Sequence, residues 1–298
     1  MTEFLQQLIN GLSLGAIYAL IALGYTMVYG VLRFINFAHG DVFMLGAFSG
    51  FYLAKVFPQE SFLGAIGIFA VSMLICAIIG IIIERLAYRP LRERPKLTVL
   101  ITAIGVSLLI EYTGQHEKVF GAAPRPFPNI VPDTEMVIAG VSVNSDQLLV
   151  LVVACVLMIG LRLVVLKTKI GTAMRALSFN AQAAALMGIN INVVISFTFG
   201  LGSALAAAGG ILYAMNYTSI DPLMGILPGL KAFVAAVLGG IGNIPGAALG
   251  GLILGVVETF TAGYISSAYR DAVAFSILIL ILIFKPSGLL GKTQVEKV

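Results

Sequence analysis

Charge is what this sequence has least of. Asp, Glu, Lys and Arg make up only 11% of 298 residues against 59% apolar residues, and the mean hydropathy is +1.02. So few charges cannot cover the surface that so much apolar side chain would present, which excludes a compact water-soluble fold. Cysteine is nearly missing as well. Cys76 and Cys155 lie inside apolar runs, where a thiol acts as a small hydrophobe, and their spacing suits neither a metal site nor a disulfide framework. The only histidines are His39 and His116, no HExxH occurs, and no Ser or Cys has a base on a predictable shared face. Catalytic residues and metal ligands are therefore none, and the chain is read as no enzyme. The net charge of +4 is not gathered into a soluble basic module, so nucleic acid is excluded as a partner. The opening "MTEFLQQLINGLSLG" lacks a basic n-region, so the first apolar run is expected to be a retained span and not a cleaved leader.

What is present is a series of apolar runs near the 20 residues that cross a bilayer as helix: 8–31, 40–57, 62–83, 97–114, 147–166, 191–215, 229–243, 245–262 and 271–285. They predict one all-α integral membrane domain over 1–298, a polytopic bundle of about eight or nine transmembrane helices. The run 229–243 is short and rich in glycine, compatible with a full helix tucked inside protein or a broken segment that re-enters. Three basic clusters fall at span ends: Arg85, Arg89, Arg92, Arg94 and Lys96; Arg162, Lys167, Lys169 and Arg175; Lys285, Lys292 and Lys297. With Arg33 they hold 13 of 18 basic residues, and positive charge stays cytoplasmic. The N-terminus is thereby expected outside and the C-terminus inside. Residues 115–146, Pro-rich and then strand-like around Ala139 and Gly140, form the outer loop, either a solvated loop or a cap that meets a soluble partner. Residues 168–190 form the inner one, where Asn180 caps a short helix through "AQAAALM" and Gly188 ends it in the left-handed conformation.

Glycines at G-x-x-x-G spacing (Gly11/Gly15, Gly46/Gly50, Gly242/Gly246, Gly246/Gly250, Gly251/Gly255) share helix faces, either for close packing or along a pathway. Glu111, Glu258 and Lys231 fall within spans towards their outer ends, compatible with structural or transport roles. "PSGLLGKT", 286–293, imitates a phosphate-binding loop but has Pro286 where the first glycine belongs and no helix expected after it. It is read as the end of the last span. "LRFINFAHGDVFMLG", 32–46, places Arg33, Asn36, His39 and Asp41 between two apolar runs. Asn36 to Gly40 is read either as a non-helical break at membrane depth or the inner surface, with Asp41 capping the next helix, or as a plain polar turn.

"QAAALMG" fits the E-A-A-x-x-x-G core of the coupling loop in importer permeases, with Gln182 in place of the acid and no I-x-L-P ending after Gly188. Together with "GTAMRALSFN", "LRFINFAHGDVFMLGAF" and "LPGLKAFVAAVLGGIGNIPGAALGGLILGVVE", it makes the whole chain resemble the permease subunits of branched-chain amino-acid ATP-binding-cassette importers. The resemblance implies a bacterial inner-membrane, multi-pass subunit that binds no cofactor itself. Its partners would be a homologous second permease, two cytoplasmic ATPase subunits, a periplasmic substrate-binding protein and membrane lipid. Carried over, the ATPase contacts would be Arg175, Ala176, Asn180, Ala183, Ala184 and Gly188. The pathway would use Asn36, His39, Gly40, Asp41, Gly239, Gly240, Gly242 and Asn243. Relatives of the family carry urea or amides, and an autonomous secondary transporter is the competing class. A purely structural scaffold would not need so many glycines within its spans.

Overall fold

The computed structural model describes residues 2–58, 61–132, 134–138 and 140–291. Lys292, Lys297, Thr293 and Ala139 lie outside the described residues. The helices are α1 (Thr2–Leu32), α2 (His39–Leu53), α3 (Phe62–Ile83), α4 (Lys96–Gln115), α5 (Ser145–Lys167), α6 (Lys169–Phe179), α7 (Ala181–Leu186), α8 (Ile191–Tyr217), α9 (Ile226–Gly239), α10 (Ile244–Tyr264) and α11 (Arg270–Phe284). All nine apolar runs are helical. Seven helices among the described residues are long and apolar enough to cross a membrane. The other two runs become α2 and α9, of 15 and 14 residues. At 1.5 Å per residue these reach only about 21–23 Å, short of the roughly 30 Å hydrocarbon layer.

The most apolar helices are not the most buried ones. α1 is 94% buried over its span window and forms the axis of the bundle, and α8 follows at 67%. α3 and α5 are more hydrophobic yet only 28% and 22% buried. Leu74, Val156 and Ile283 point outward from α3, α5 and α11, as expected where the solvent is lipid and hydrophobicity does not drive a side chain inward. Close packing takes over that role. Gly15 of α1 faces the backbone of Leu252, and Gly255 of α10 faces Gly15 in return, so neither position has room for a methyl group. Gly246 and Gly250 press α10 onto α9 at Gly239 and Ala235, and Gly46 presses α2 onto Ala207 of α8. The pair Gly242/Gly246 does not share a helix face, because Gly242 sits in a turn at φ +92°.

The two ends of α1 separate the two polar segments. Near its start, Gln6 exchanges two 2.9 Å hydrogen bonds with the backbone of Ser142, and Asn10 accepts one from Gln147 at 2.8 Å. Just past its end, Arg33 donates to the carbonyl of Ser178 in α6 at 3.4 Å. The 115–146 and 168–190 segments therefore lie at opposite ends of a 31-residue helix about 46 Å long. The first carries the expected hairpin, β2 (Glu135–Ile138) with β3 (Val141–Asn144), and β1 (Arg125–Pro126), which pairs with β4 (Ser219–Ile220) after α8.

Candidate functional site

The polar stretch after α1 is a true interruption of helix. Arg33 adopts φ +54°, and residues 33–38 run without helix until Ala38 opens α2. Asp41 does not cap α2: the N-cap is Ala38, which makes no side-chain cap bond, and Asp41 sits three residues on, within the first turn. The reason is that its carboxylate is taken by another helix, accepting from Ser107 Oγ of α4 at 2.5 Å. The depth of α2's first turn follows from its neighbours. A methyl group on Gly24 would strike both His39 and Gly202, so the three lie at one level. Gly202 is 11 residues from the start of the 27-residue α8, about 16 Å along it. α2 is thus a half helix that begins near mid-depth.

A second half helix begins at the same place. Gly225, at the N-cap of α9, and Gly229 lie against the backbone of Gly40, a crossing that only glycines permit. Between α2, α4 and α9 is a cavity of about 100 Å³, lined by Tyr25, Asp41, Ser107, Glu111, Ile226 and Leu230 among others. Asp41 and Glu111 are both buried. Ser107 joins them, donating to Asp41 and lying 3.4 Å from Glu111 Oε1. From the sequence Glu111, like Glu258 and Lys231, is expected towards the outer end of a span, and nothing local pairs it with Asp41. Ser107 and Glu111 stand four apart on one face of α4, a polar stripe that marked the face turned inward.

The remaining predicted pathway residues have structural partners. His39 is 1% exposed, with Nε2 3.2 Å from the Ile21 carbonyl and its ring edge-on to Tyr25 at 4.6 Å. Asn36 accepts from Tyr88 Oη at 2.6 Å. Tyr88 ends a π-helical turn, Glu84–Tyr88, that continues α3. Within that turn Glu84 pairs with Arg92 and accepts from Ser196 of α8 at 2.6 Å, while Arg92 also donates to Asn192 at 2.9 Å. The break is thereby tied to the first turn of α8, directly after α7. Gly239, Gly240, Gly242 and Asn243 form the α9–α10 turn. Asn243 caps α10 by accepting from Gly246 N at 3.1 Å, and donates to the Leu290 carbonyl at 2.6 Å. Residues 285–291 lie back on the turn through Leu289 N to Leu238 O at 2.8 Å and Leu290 N to Gly239 O at 3.0 Å. The phosphate-loop lookalike is this strap, and α11 ends at Phe284 as expected.

Glu258 and Lys231 meet on the other side of the core. Lys231 Nζ lies 2.7 Å from both Glu258 and Asp271, and Tyr18 donates to Glu258 at 2.9 Å. One network therefore joins α1, α9, α10 and α11.

At the bundle end marked by Arg33, Asn180 accepts from Ala183 N at 3.0 Å and caps α7, and Gly188 closes it at φ +82°, both as read from the sequence. Ala184 faces inward, while Ala183, Arg175 and Gly188 are exposed and Ala176 is half-buried. Phe179, Leu186 and Met187 are 90%, 89% and 83% exposed around them.

Residues 7–282 match the family described as branched-chain amino acid transport system, permease component. The permease protein BraD of a high-affinity branched-chain amino acid transport system in Pseudomonas aeruginosa is 44% identical, covering 99% of this chain and 98% of the relative. The LivH permease proteins of Escherichia coli K12 and Salmonella typhimurium are 42% and 43% identical, again over 99% of this chain and 98% of theirs. With nine apolar helices among the described residues, a break between the first two, and matches that run nearly end to end, the chain belongs to the branched-chain amino acid transport permease family.

Proposed function

We propose that the chain is the permease subunit of an ATP-binding-cassette importer in a bacterial inner membrane and forms half of a pathway for branched-chain amino acids. It acts as one domain over 1–298, binds no cofactor of its own, and is moved by two ATPase subunits docked at α7. A homologous permease completes the pathway and a periplasmic binding protein delivers substrate. The N-terminus and the 115–146 loop face the periplasm; α6, α7 and the C-terminus face the cytoplasm.

The observation that carries this reading is the surface at α7. Phe179, Leu186 and Met187 are large apolar groups left exposed beyond the end of α1, beside basic residues that mark the cytoplasmic side. A short capped helix offers them as a rigid knob. Arg175, Ala176, Asn180, Ala183, Ala184 and Gly188 build and surround it. A push on α7 reaches the interior through Asn192, Arg92, Glu84, Tyr88 and Asn36, ending at the break that sets the position of Gly40 and Asp41. In this scheme Gly40 and Asp41 line the pathway itself, Asn36 and His39 hold the break, and the Gly239–Asn243 turn transmits motion between α9 and α10.

Any side chain at Gly188 strains its left-handed backbone. Gly188→Val is therefore expected to leave the permease in the membrane while co-purified ATPase and ATP-driven uptake fall at least about tenfold, the equivalent of roughly 1.4 kcal/mol of docking energy. Undiminished ATPase binding overturns the docking role. Uptake by the chain reconstituted alone would place it among secondary transporters.

A further inference from the structure

Among the buried acids with described partners, Glu258 is met by Lys231 and Tyr18, and Glu84 by Arg92 and Ser196. Asp41 and Glu111 differ. They are 2% and 8% exposed, they come from different helices, and both line the same 100 Å³ cavity. Among the described residues no Lys or Arg lies within ion-pair distance of either. Ser107 gives its one proton to Asp41 at 2.5 Å and lies 3.4 Å from Oε1 of Glu111, and the two carboxyl groups are within hydrogen-bond reach of each other. Two buried carboxyl groups this close share a proton when no cation is present, and a cation between them lets both ionise. Around one empty space they make a receptor for positive charge.

The walls indicate which cation. Ile226, Leu230 and Phe37 supply apolar surface directly beside the carboxylates, and Gly40 and Gly229 leave the floor bare of side chains. A hard metal ion would want six or more oxygens around it, and no group of three His, Cys, Asp or Glu gathers anywhere among the described residues. An alkylammonium fits both surfaces, its charge on the acids and its first carbons on the aliphatic wall. The space is smaller than the roughly 150 Å³ cavity that encloses a benzene ring, so it takes the charged end of a small amine and not an entire large one.

We propose that this cavity binds the ammonium end of a small aliphatic amine between Asp41 and Glu111, and that in transport it receives the α-ammonium group of the amino acid at mid-depth. The identity of the amine as substrate rests on the permease reading; the ammonium chemistry of the cavity does not. Held there, the positive end of the zwitterion is neutralised at the level where a bare charge is most costly.

The test uses the purified full-length chain in detergent and follows its thermal unfolding with isobutylammonium, with isobutanol as the uncharged match. Isobutylammonium at saturation is expected to raise the midpoint by about 2–4 °C, with no shift from isobutanol. Asp41→Asn with Glu111→Gln keeps the shapes and removes the shift; if that pair does not yield folded protein, Glu111→Gln alone is expected to weaken the amine at least about tenfold. An equal shift in the variants overturns the proposal. So does a midpoint that responds to acidification but not to the amine, which would make this a proton site. ATP-driven uptake by the assembled transporter is measured alongside. Intact uptake without an amine shift defeats the cavity alone, and an amine shift without ATP-dependent uptake defeats the permease reading alone.

Discussion

Two kinds of buried charge coexist in this protein, and they make opposite demands on single residues. Lys231 neutralises Glu258 and Asp271 together, so its removal strands Glu258 among apolar helices. Lys231→Met is expected to cost about 3–5 kcal/mol, measured as unfolding in denaturing micelles, and Lys231→Met with Glu258→Met is expected to recover most of it. Tyr18→Phe removes only the 2.9 Å bond to Glu258 and should cost about 1.5–3 kcal/mol by the same measurement. Equal losses in the single and double Lys231 variants would show that the ion pair is not the source of the effect. Asp41 should behave in the other direction, since it meets a second acid and no base: in Asp41→Asn stability holds or rises while uptake falls. Little of this was legible beforehand. Glu111, Glu258 and Lys231 were visible as ionisable groups within spans, but which acid meets a base and which meets another acid depends on the helix that stands opposite, and no local pattern specifies that.

Elements are held together here by what glycine omits. Gly15 and Gly255 let α1 and α10 touch backbone to backbone, whereas Gly105 and Gly160 have nothing within 4 Å of where a Cβ would stand. Gly15→Ala is expected to cost about 1–3 kcal/mol by overpacking, and Gly160→Ala to stabilise α5 by up to about 1 kcal/mol through helix propensity. Thermal unfolding of the two variants side by side checks the contrast, and similar effects would deny the close approach. The spacing of these glycines announced tight faces, but it also named Gly242/Gly246, where one member belongs to a turn. Periodicity cannot see where a helix begins. At α7 local chemistry was enough, because Asn180 and Gly188 act on their own backbone neighbours. Asn180→Ala should cost the capped turn about 0.5–2 kcal/mol and weaken ATPase co-purification without removing the permease from the membrane.

Across the whole molecule the arrangement is a buried axis, α1, interrupted at its end so that the chain turns back and starts a half helix near mid-depth. α9 starts from the other side at the same level. Irregular backbone is tolerated there because protein, not lipid, surrounds it, and the ends of such half helices are where polar groups can converge within a membrane. The Asn36–Tyr88 bond fixes the first interruption, and the C-terminal strap over Gly240 holds the far end of α9. Tyr88→Phe, which frees Asn36 while keeping the ring, is expected to raise the ATP hydrolysed per amino acid imported severalfold with ATPase binding unchanged. Vesicles assayed for both quantities decide it, and an unaltered ratio would rule out this route of coupling.

Composition and the spacing of apolar runs determined that the chain is a membrane bundle, where its helices lie, where α7 is capped, and which family it resembles, because each of these depends on residues close together in sequence. Tertiary structure alone decided that two of the nine apolar helices are half helices, that Asp41 serves a cavity and not a cap, and that Glu111 stands beside it. In lipid the hydrophobic effect does not choose which face of an apolar helix turns inward. Backbone fit at the glycines makes that choice, and with it the company each buried charge keeps.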